Sequence, residues 1–192
     1  AHELKAPLGA VEGYLGIMRD QTLGRDLSAY ESPIQRSLLR LDGMRKLIVD
    51  LLDLTRIESG EKTREMKTVD LQAVARDSLE TVQTSALSRN IRLNLSCEGD
   101  VSMQADHSEM EIIFNNLVSN AVKYNRDDGQ VNVSIVGEAN EIRIQVQDTG
   151  IGMIEPEAAK LFAEFVRIKN AKTRNIMGSG LGLSIVKKLA GL

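Results

Sequence analysis

The sequence predicts an α+β fold, in which a helical hairpin is followed by an α/β sandwich. Two patterns carry this prediction: apolar residues recur at helical spacing early in the chain, and helical and alternating patterns mix after that. The 192 residues suffice for two small domains. We place these domains at residues 1–60 and 67–192, with a polar, charged linker between them.

The first domain has the pattern of two helices with apolar seams. Gly24 is typical of a break between helices, and Pro33 suits the first turn of the second helix. Because one hairpin cannot bury two such seams alone, we expect two copies to form a homodimeric four-helix bundle. The seam residues are Leu4, Leu8, Val11, Leu15 and Met18 in the first helix and Ile34, Leu38, Leu41, Met44, Ile48 and Leu51 in the second.

The second domain combines helical and alternating patterns. Apolar spacing predicts a helix over 71–87 and another that runs to about Tyr124. Asp106 is a typical N-cap for this second helix, with Glu109 completing the signal. A glycine-rich turn from Gly178 leads into a last helix. The alternating segments, which we interpret as strands, are 91–95, 101–105, 131–135 and 142–146, the last two as a hairpin.

Composition excludes several classes of protein. The formal net charge is −3, and no dense basic stretch occurs, so we expect no nucleic-acid binding. No apolar run approaches the roughly 18 residues of a membrane span, so we expect no membrane contact by this fragment. The single cysteine, Cys97, excludes an internal disulfide, fits a reducing, cytoplasmic compartment and is expected to be buried. Since the chain starts at Ala1, we interpret it as part of a longer protein, whose membrane anchoring stays open.

Polar residues of the helix that follows Asp106 share one face. Asn116, Asn120 and Lys123 are spaced i, i+4 and i+7, although asparagine is unfavourable inside helices. The pattern fits a solvated polar stripe and a metal–phosphate site equally well. In the second case the amide oxygens would bind Mg²⁺, and the lysine would contact phosphate.

Two glycine-rich turns follow predicted elements of the second domain. Asp148 ends a strand and could accept a hydrogen bond from an exocyclic amine, while Gly150 and Gly152 would let a flat ring approach the backbone. The turn from Gly178 to Gly182 precedes a helix, where free N–H groups suit phosphate. Each turn alone is weak evidence, since ordinary turns and helix caps have similar sequences.

Five segments of the chain, taken together and in this order, resemble the motifs of sensor histidine kinases of two-component systems. The resemblance extends over essentially the whole chain. It implies a dimerising, HisKA-type phosphoacceptor hairpin followed by an ATP-binding domain of the GHKL (Bergerat) type. The matching segments are His2–Leu8 (H box), Asn116–Tyr124 (N box), Asp148–Gly152 (first glycine box), Leu161–Arg167 (F box) and Gly178–Gly182 (second glycine box).

The resemblance implies a role for each matching residue. His2 would be the phosphoacceptor, and Glu3 would draw a proton from its imidazole. Asn116 and Asn120 would hold Mg²⁺. Asp148 would accept a hydrogen bond from the adenine amine of ATP.

Other implied roles concern the phosphates and a lid over ATP. Lys123 and Arg167 would neutralise charge on the transferring group as further catalytic residues, with Tyr124 nearby. Residues 153–178 would form the lid, with Phe162 and Phe165 as its apolar anchors. An ordinary place in the core is the other interpretation of these two residues, and the two interpretations are compatible. The remaining nucleotide contacts would come from Gly150, Gly152, Phe165, Gly178, Gly180, Leu181 and Gly182.

The activity that the resemblance implies is ATP-dependent autophosphorylation of His2. The phosphoryl group would then pass to an aspartate in the receiver domain of a response regulator. Two other classes stay open, an ATP hydrolase of the related gyrase/Hsp90-like group and a dimeric scaffold that binds nucleotide without transfer. Those hydrolases carry a glutamate where this chain has Asn116, which cannot act as a base. The intact motif residues argue against the scaffold.

The chain departs from the family pattern in two places. Ala6 stands where many relatives carry Thr or Asn to orient a water for dephosphorylation, so we expect weak phosphatase activity toward the partner. The chain stops at Leu192, before the strands that complete the sheet in relatives, so we expect a domain truncated at its C-terminal end. His107, beside Asp106, is expected to be a surface residue and not a second phosphoacceptor.

Overall fold

The structure is a computed structural model that describes residues 2–59, 64–168, 173, 176 and 178–191. It divides into two compact units. The first comprises Ala1–Asp53 with Met177–Ser179, and the second comprises Leu54–Ile176 with Gly180–Leu192. Within the described ranges, no helix is both long enough and apolar enough to cross a membrane.

A pair of long helices dominates the first unit. Helix α1 (His2–Arg19) and helix α2 (Glu31–Ser59, whose last turns belong to the second unit) are connected by a loop that ends in a short 3₁₀ helix, Leu27–Tyr30. The hydroxyl of buried Tyr30 donates to the carbonyl of Gly24 at 2.7 Å, and Gly24 has a φ of 92°. The predicted hairpin, with its break at this glycine, is therefore confirmed.

The predicted apolar seam of α2 remains exposed in the single chain. Pro33, Ser37 and Leu47 are buried, whereas the seam residues are not. Their exposed fractions are 39% for Ile34, 55% for Leu38, 46% for Leu41, 45% for Ile48 and 39% for Leu51. Helix α2 therefore presents an uncovered apolar side, as the seam pattern predicted, whereas Val11 of the predicted α1 seam is already buried within the single chain.

The second unit is an α/β sandwich with its strands in two small sheets. Strands β1 (Met66–Asp70) and β3 (Ser102–Asp106) pair antiparallel. Strand β2 (Arg92–Glu98) pairs parallel with β4 (Gln130–Gly137), which pairs antiparallel with β5 (Ile142–Asp148). The expected α+β class is confirmed. In chain order the elements are β1, α3 (Leu71–Leu87), β2, β3, α4 (His107–Lys123), β4, β5, α5 (Glu155–Ala158) and α6 (Gly182–Ala190).

The core of this unit lies between its helices and the three-stranded sheet. Phe114 and Val118 of α4 are fully buried, as are the inward residues of β4, Val131 and Val133. Cys97 in β2 packs at the margin of this core and is half-buried, so the expectation of a buried thiol was wrong. With few aromatic residues in the sequence, the core is built mainly from aliphatic side chains.

Strand β1 was not predicted, because its first residues fell within the expected linker. Four of its five residues are exposed and only Val69 is buried, so the sequence lacks the alternation of a half-buried strand. Its hydrogen-bonding partner, β3, lies more than thirty residues further along the chain, with Met66 opposite Asp106. This strand depends on a non-local partner more than on its own sequence pattern.

Candidate functional site

Helix α4 carries a half-buried polar face. Its N-cap is Asp106, whose carboxylate accepts the backbone N–H of Glu109 at 3.2 Å, as the sequence predicted. Phe114 and Val118 turn into the core, while the predicted site residues share the other side. Asn116, Asn120, Lys123 and Tyr124 are all half-buried, so they do not form the fully solvated stripe of the alternative interpretation.

The side-chain amide of Asn116 is held by its own helix. Its Nδ2 donates to the carbonyl of Ile112 at 2.8 Å, which turns Oδ1 the other way, toward the first residue of α6, Gly182. A Cβ atom on Gly182 would lie 2.2 Å from that oxygen. Glycine is therefore required at this position. The second glycine-rich turn thus meets the face of α4 that carries Asn116 and Asn120, which we call the asparagine face.

The turn after β5 lies against the C-terminal end of α4. The N–H of Ile151 donates to the carbonyl of Tyr124 at 3.0 Å, and a Cβ on Gly150 would lie 2.2 Å from that carbonyl oxygen. Asp148 is exposed, and its Oδ1 accepts the N–H of Gly150 at 2.7 Å. Gly152 has a φ of 62°, a conformation that favours glycine. The structure thus brings Asp148 and the end of the asparagine helix together.

Cationic groups gather at the same end of α4. The Nζ atom of Lys123 lies 5.0 Å from the centroid of the Tyr124 ring. Burial raises the pKa of the Tyr124 phenol, and the positive charge of Arg167 opposes this rise. Arg167 therefore lies within electrostatic range of the end of α4. Two cations beside a half-buried polar face suit a phosphate group.

The F box segment contacts the second glycine-rich turn. A Cβ on Gly180, which has a φ of 76°, would lie 3.0 Å from the carbonyl carbon of Phe165. The guanidinium of Arg167 donates to the carbonyl of Ile176. Leu181 is fully buried, so a nucleotide can meet its backbone but not its side chain. Gly178 is half-buried.

The two phenylalanines of the expected lid are not core residues. Phe162 is 45% exposed and Phe165 is 47% exposed, so of the two interpretations the one as ordinary core was wrong. Lys187 of α6 lies over the Phe162 ring, 6.0 Å from its centroid. Residues 169–172, 174, 175 and 177 of the expected lid lie outside the described residues.

Sequence reasoning missed a buried polar cluster behind Asp148. Asn125 is 4% exposed, and its Nδ2 donates to the carbonyls of Ala121 at 3.1 Å and Gln130 at 3.0 Å. Its Oδ1 accepts the hydroxyl of Thr149 at 3.1 Å, and the N–H of Gln130 donates to that hydroxyl oxygen at 2.9 Å. An asparagine just after a helix gave a signal for a cap, but not for a link to the next turn.

The two histidines differ in what the structure describes. The backbone of His2 lies at the start of α1, and the side chains of His2 and Glu3 lie outside the described part of the chain. His107 begins α4 with a side chain that is 57% exposed and lies 3.6 Å from the Glu111 carboxylate. Its expected place on the surface is confirmed.

The site residues fit a nucleotide that brings its own metal ion. Within the described ranges, no group of three or more His, Cys, Asp or Glu side chains could hold a metal alone. Asn116 presents a fixed amide oxygen, which is a hard ligand, beside the first residue of α6, and the cations Lys123 and Arg167 lie near Tyr124 at the end of the same helix. Mg²⁺ takes few ligands from protein and the rest from phosphate and water, so this donor set fits Mg²⁺ with a bound polyphosphate.

Comparison with known families agrees with this geometry. Residues 1–60 match the family model of the His Kinase A (phospho-acceptor) domain, and residues 105–192 match that of the Histidine kinase-, DNA gyrase B-, and HSP90-like ATPase. The chain belongs to the sensor histidine kinases. The kinase core motifs expected from the sequence therefore lie in matched domains, His2 in the first and Asn116, Asp148 and Gly180 in the second.

Individual relatives place this kinase chain in the same family. It is 31% identical to the "Phosphate regulon sensor protein PhoR" of Pseudomonas aeruginosa over 97% of this chain and 42% of that protein. The chain spans less than half the length of such curated relatives.

Solved structures share the fold of the kinase chain. An Acinetobacter baumannii histidine kinase, AdeS, matches with a TM-score of 0.77 at 21% identity, over 98% of this chain and 85% of that one. Histidine kinase ThkA, solved in complex with the response regulator protein TrrA, matches with a TM-score of 0.76 at 21% identity, over 98% and 52%. At such identities the likeness concerns the fold.

Proposed function

We propose that this chain is the catalytic core of a protein histidine kinase that autophosphorylates His2 with ATP. The observation that carries the proposal is the meeting of three elements of the second unit. The end of α4, the turn with Asp148 and the first turn of α6 are linked by the contacts of Tyr124 with Ile151 and of Asn116 with Gly182. A phosphoacceptor domain precedes them in the chain.

Nucleotide binding follows from the chemistry of these groups. The exposed carboxylate of Asp148 accepts a hydrogen bond from the exocyclic amine of adenine, and the glycines beside Asp148 leave room for the adenine ring. Mg²⁺ bound with the phosphates supplies charge neutralisation, and Asn116 and Asn120 would hold it. Lys123 and Arg167 add positive charge at the same end of α4.

Phosphoryl transfer breaks the bond between the γ-phosphorus and the ADP oxygen and forms a phosphorus–nitrogen bond to the imidazole of His2. Glu3 takes the proton that the other ring nitrogen gives up. The phosphoryl group then passes to an aspartate of a response regulator, a partner supported by the ThkA neighbour, which was solved with such a protein. We place both steps in the cytoplasm.

A homodimer is part of this proposal. The exposed seam of α2, with Leu38 and Leu41 at 55% and 46% exposure, suits a second copy of the same hairpin. The matched phosphoacceptor domain supports the same arrangement.

The experiment that tests the proposal is incubation of the chain with γ-labelled ATP and Mg²⁺. We expect label that is stable in alkali and lost in acid, absent from His2→Gln and retained in the control His107→Gln. Free phosphate without labelled protein would instead indicate a hydrolase. If neither labelled protein nor free phosphate forms, the remaining class is a scaffold that binds nucleotide without transfer.

A further inference from the structure

The C-terminal end of α4 is capped from a distant part of the chain. The last carbonyls of a helix have no partner within it. Arg89, in the turn between α3 and β2, donates from Nη1 to the carbonyl of Val122 at 2.9 Å and from Nη2 to that of Asn125 at 2.7 Å. Its Nε donates to the carboxylate of Asp127 at 2.8 Å. A fixed guanidinium therefore binds the last turn of the helix and the loop after it.

The position of this cation also suits the helix electrostatically. The C-terminal end of a helix carries a partial negative charge, so a guanidinium there is favourable. The Arg89 side chain is 33% exposed, which limits screening by solvent. Because the guanidinium is planar and its donors are fixed, it sets the direction of the loop as well as its charge balance.

The loop that Arg89 holds is the one that carries Asn125. The Asn125 side chain bridges the end of α4, the start of β4 and Thr149, which is the residue after Asp148. The backbone contact between Tyr124 and Ile151 lies beside this bridge. One continuous set of hydrogen bonds thus runs from Arg89 through Asn125 to the turn of Asp148.

We propose that Arg89 and Asn125 are positioning residues for nucleotide binding. They fix the spacing between the asparagine face of α4 and the carboxylate of Asp148, so that one nucleotide reaches both. The inference rests on the proposed function, because it needs adenine at Asp148 and phosphates at α4. Neither residue contacts the nucleotide in this arrangement.

The spacing predicts a specific pattern of affinities. Adenosine uses the turn of Asp148 alone, whereas Mg²⁺ with a non-hydrolysable ATP analogue uses the turn and α4 together. Loss of the Arg89 hydrogen bonds should therefore lower the affinity for the ATP analogue about tenfold and the affinity for adenosine less than about threefold. General loosening of the domain would weaken both ligands equally.

The test is an NMR titration of the ¹⁵N-labelled chain with each ligand. Arg89→Met removes the donors, and Arg89→Lys keeps the charge but not the fork, so we expect an intermediate loss. Arg92→Met is the matched control, since Arg92 is exposed on β2. We also expect faster hydrogen exchange at the Ile151 amide in Arg89→Met, without a similar change in the core strands.

A second pair of variants covers the case in which Arg89→Met does not fold. Thr149→Val removes the hydroxyl that joins Asn125 to Gln130, and Thr149→Ser restores it. We expect Thr149→Val to lose affinity for the ATP analogue more than for adenosine, and we expect Thr149→Ser to recover that affinity. Equal loss of both ligands, or no loss, would overturn the inference. A parent chain that binds neither ligand would count against the proposed function instead.

Discussion

Cys97 shows how burial sets the chemistry of one side chain. Its thiol is half-buried in β2, and this burial raises its pKa above the ordinary 9.0, with the Asp70 carboxylate adding to the rise and Arg76 opposing it. Only the thiolate reacts with disulfide reagents. We therefore expect Cys97 to react with such a reagent more slowly at pH 8 than the same thiol in the urea-unfolded chain.

The measurement is the reaction rate between pH 7 and 10 in native and urea-unfolded protein. The native rate should still be rising with pH where the unfolded rate has levelled off. Because the native pKa is the higher one, any stability that the protonated thiol contributes is present below the unfolded pKa and lost as pH rises through the native one. Coincident pH profiles would contradict this explanation.

The residues proposed to bind the nucleotide are easier to recognise in the sequence than the residues proposed to position them. Asn116 and Asn120 are recognisable because polar residues at i and i+4 break the apolar pattern of one helix. Arg89 and Asn125 act through partners that lie 36 and 24 residues away, at Asn125 and Thr149. No local pattern encodes such distances, so these two roles needed the fold.

At the scale of the element, α4 is also anchored at its first turn. Glu109 is 5% exposed, and Arg64 donates to its Oε2 from Nε at 2.9 Å and from Nη2 at 2.6 Å. A carboxylate near a helix N-terminus is favourable, and removing one partner of a buried pair is costly. We expect Arg64→Met to lower the free energy of unfolding by about 1–2 kcal/mol, measured by urea titration.

The control for this prediction is a pair on the surface of β1. Lys67 lies 2.8 Å from Glu65, but both side chains are more than 70% exposed. Exposed pairs of this kind contribute little, because water and salt screen them. Lys67→Met should therefore leave the urea midpoint unchanged, and equal midpoint shifts in the two variants would show that burial of Glu109 is not the cause.

Elements with strong local signals were predicted well, and others were not. The sequence predicted α3 with the observed bounds, Leu71–Leu87, and α4 with its observed cap at Asp106, since both have an apolar face and α4 also has a cap signal. The hairpin of β4 and β5 follows from clear alternation. Strand β1 failed this test, because it buries one residue and depends on β3 for its pairing.

At the scale of the whole molecule, the two units bury their apolar residues differently. The second unit has a contiguous core, in which Phe114 and Leu71 are fully buried. In α2 of the first unit, leucines at 38, 39 and 41 are each more than 45% exposed. The sequence predicted this seam, and its exposure in the single chain makes the oligomeric state in solution the property to measure.

Two adjacent leucines of α2 provide the sharpest test of the proposed dimer. Leu38 and Leu39 are 55% and 59% exposed, so replacing either one with lysine removes a similar amount of buried apolar surface from the single chain. Only Leu38 lies on the seam, because the next residue points about 100° further round the helix. We expect Leu38→Lys to shift the chain from dimer to monomer in light scattering after size exclusion, while Leu39→Lys stays dimeric. If both variants remain dimeric, or if both become monomeric, the seam does not form the interface.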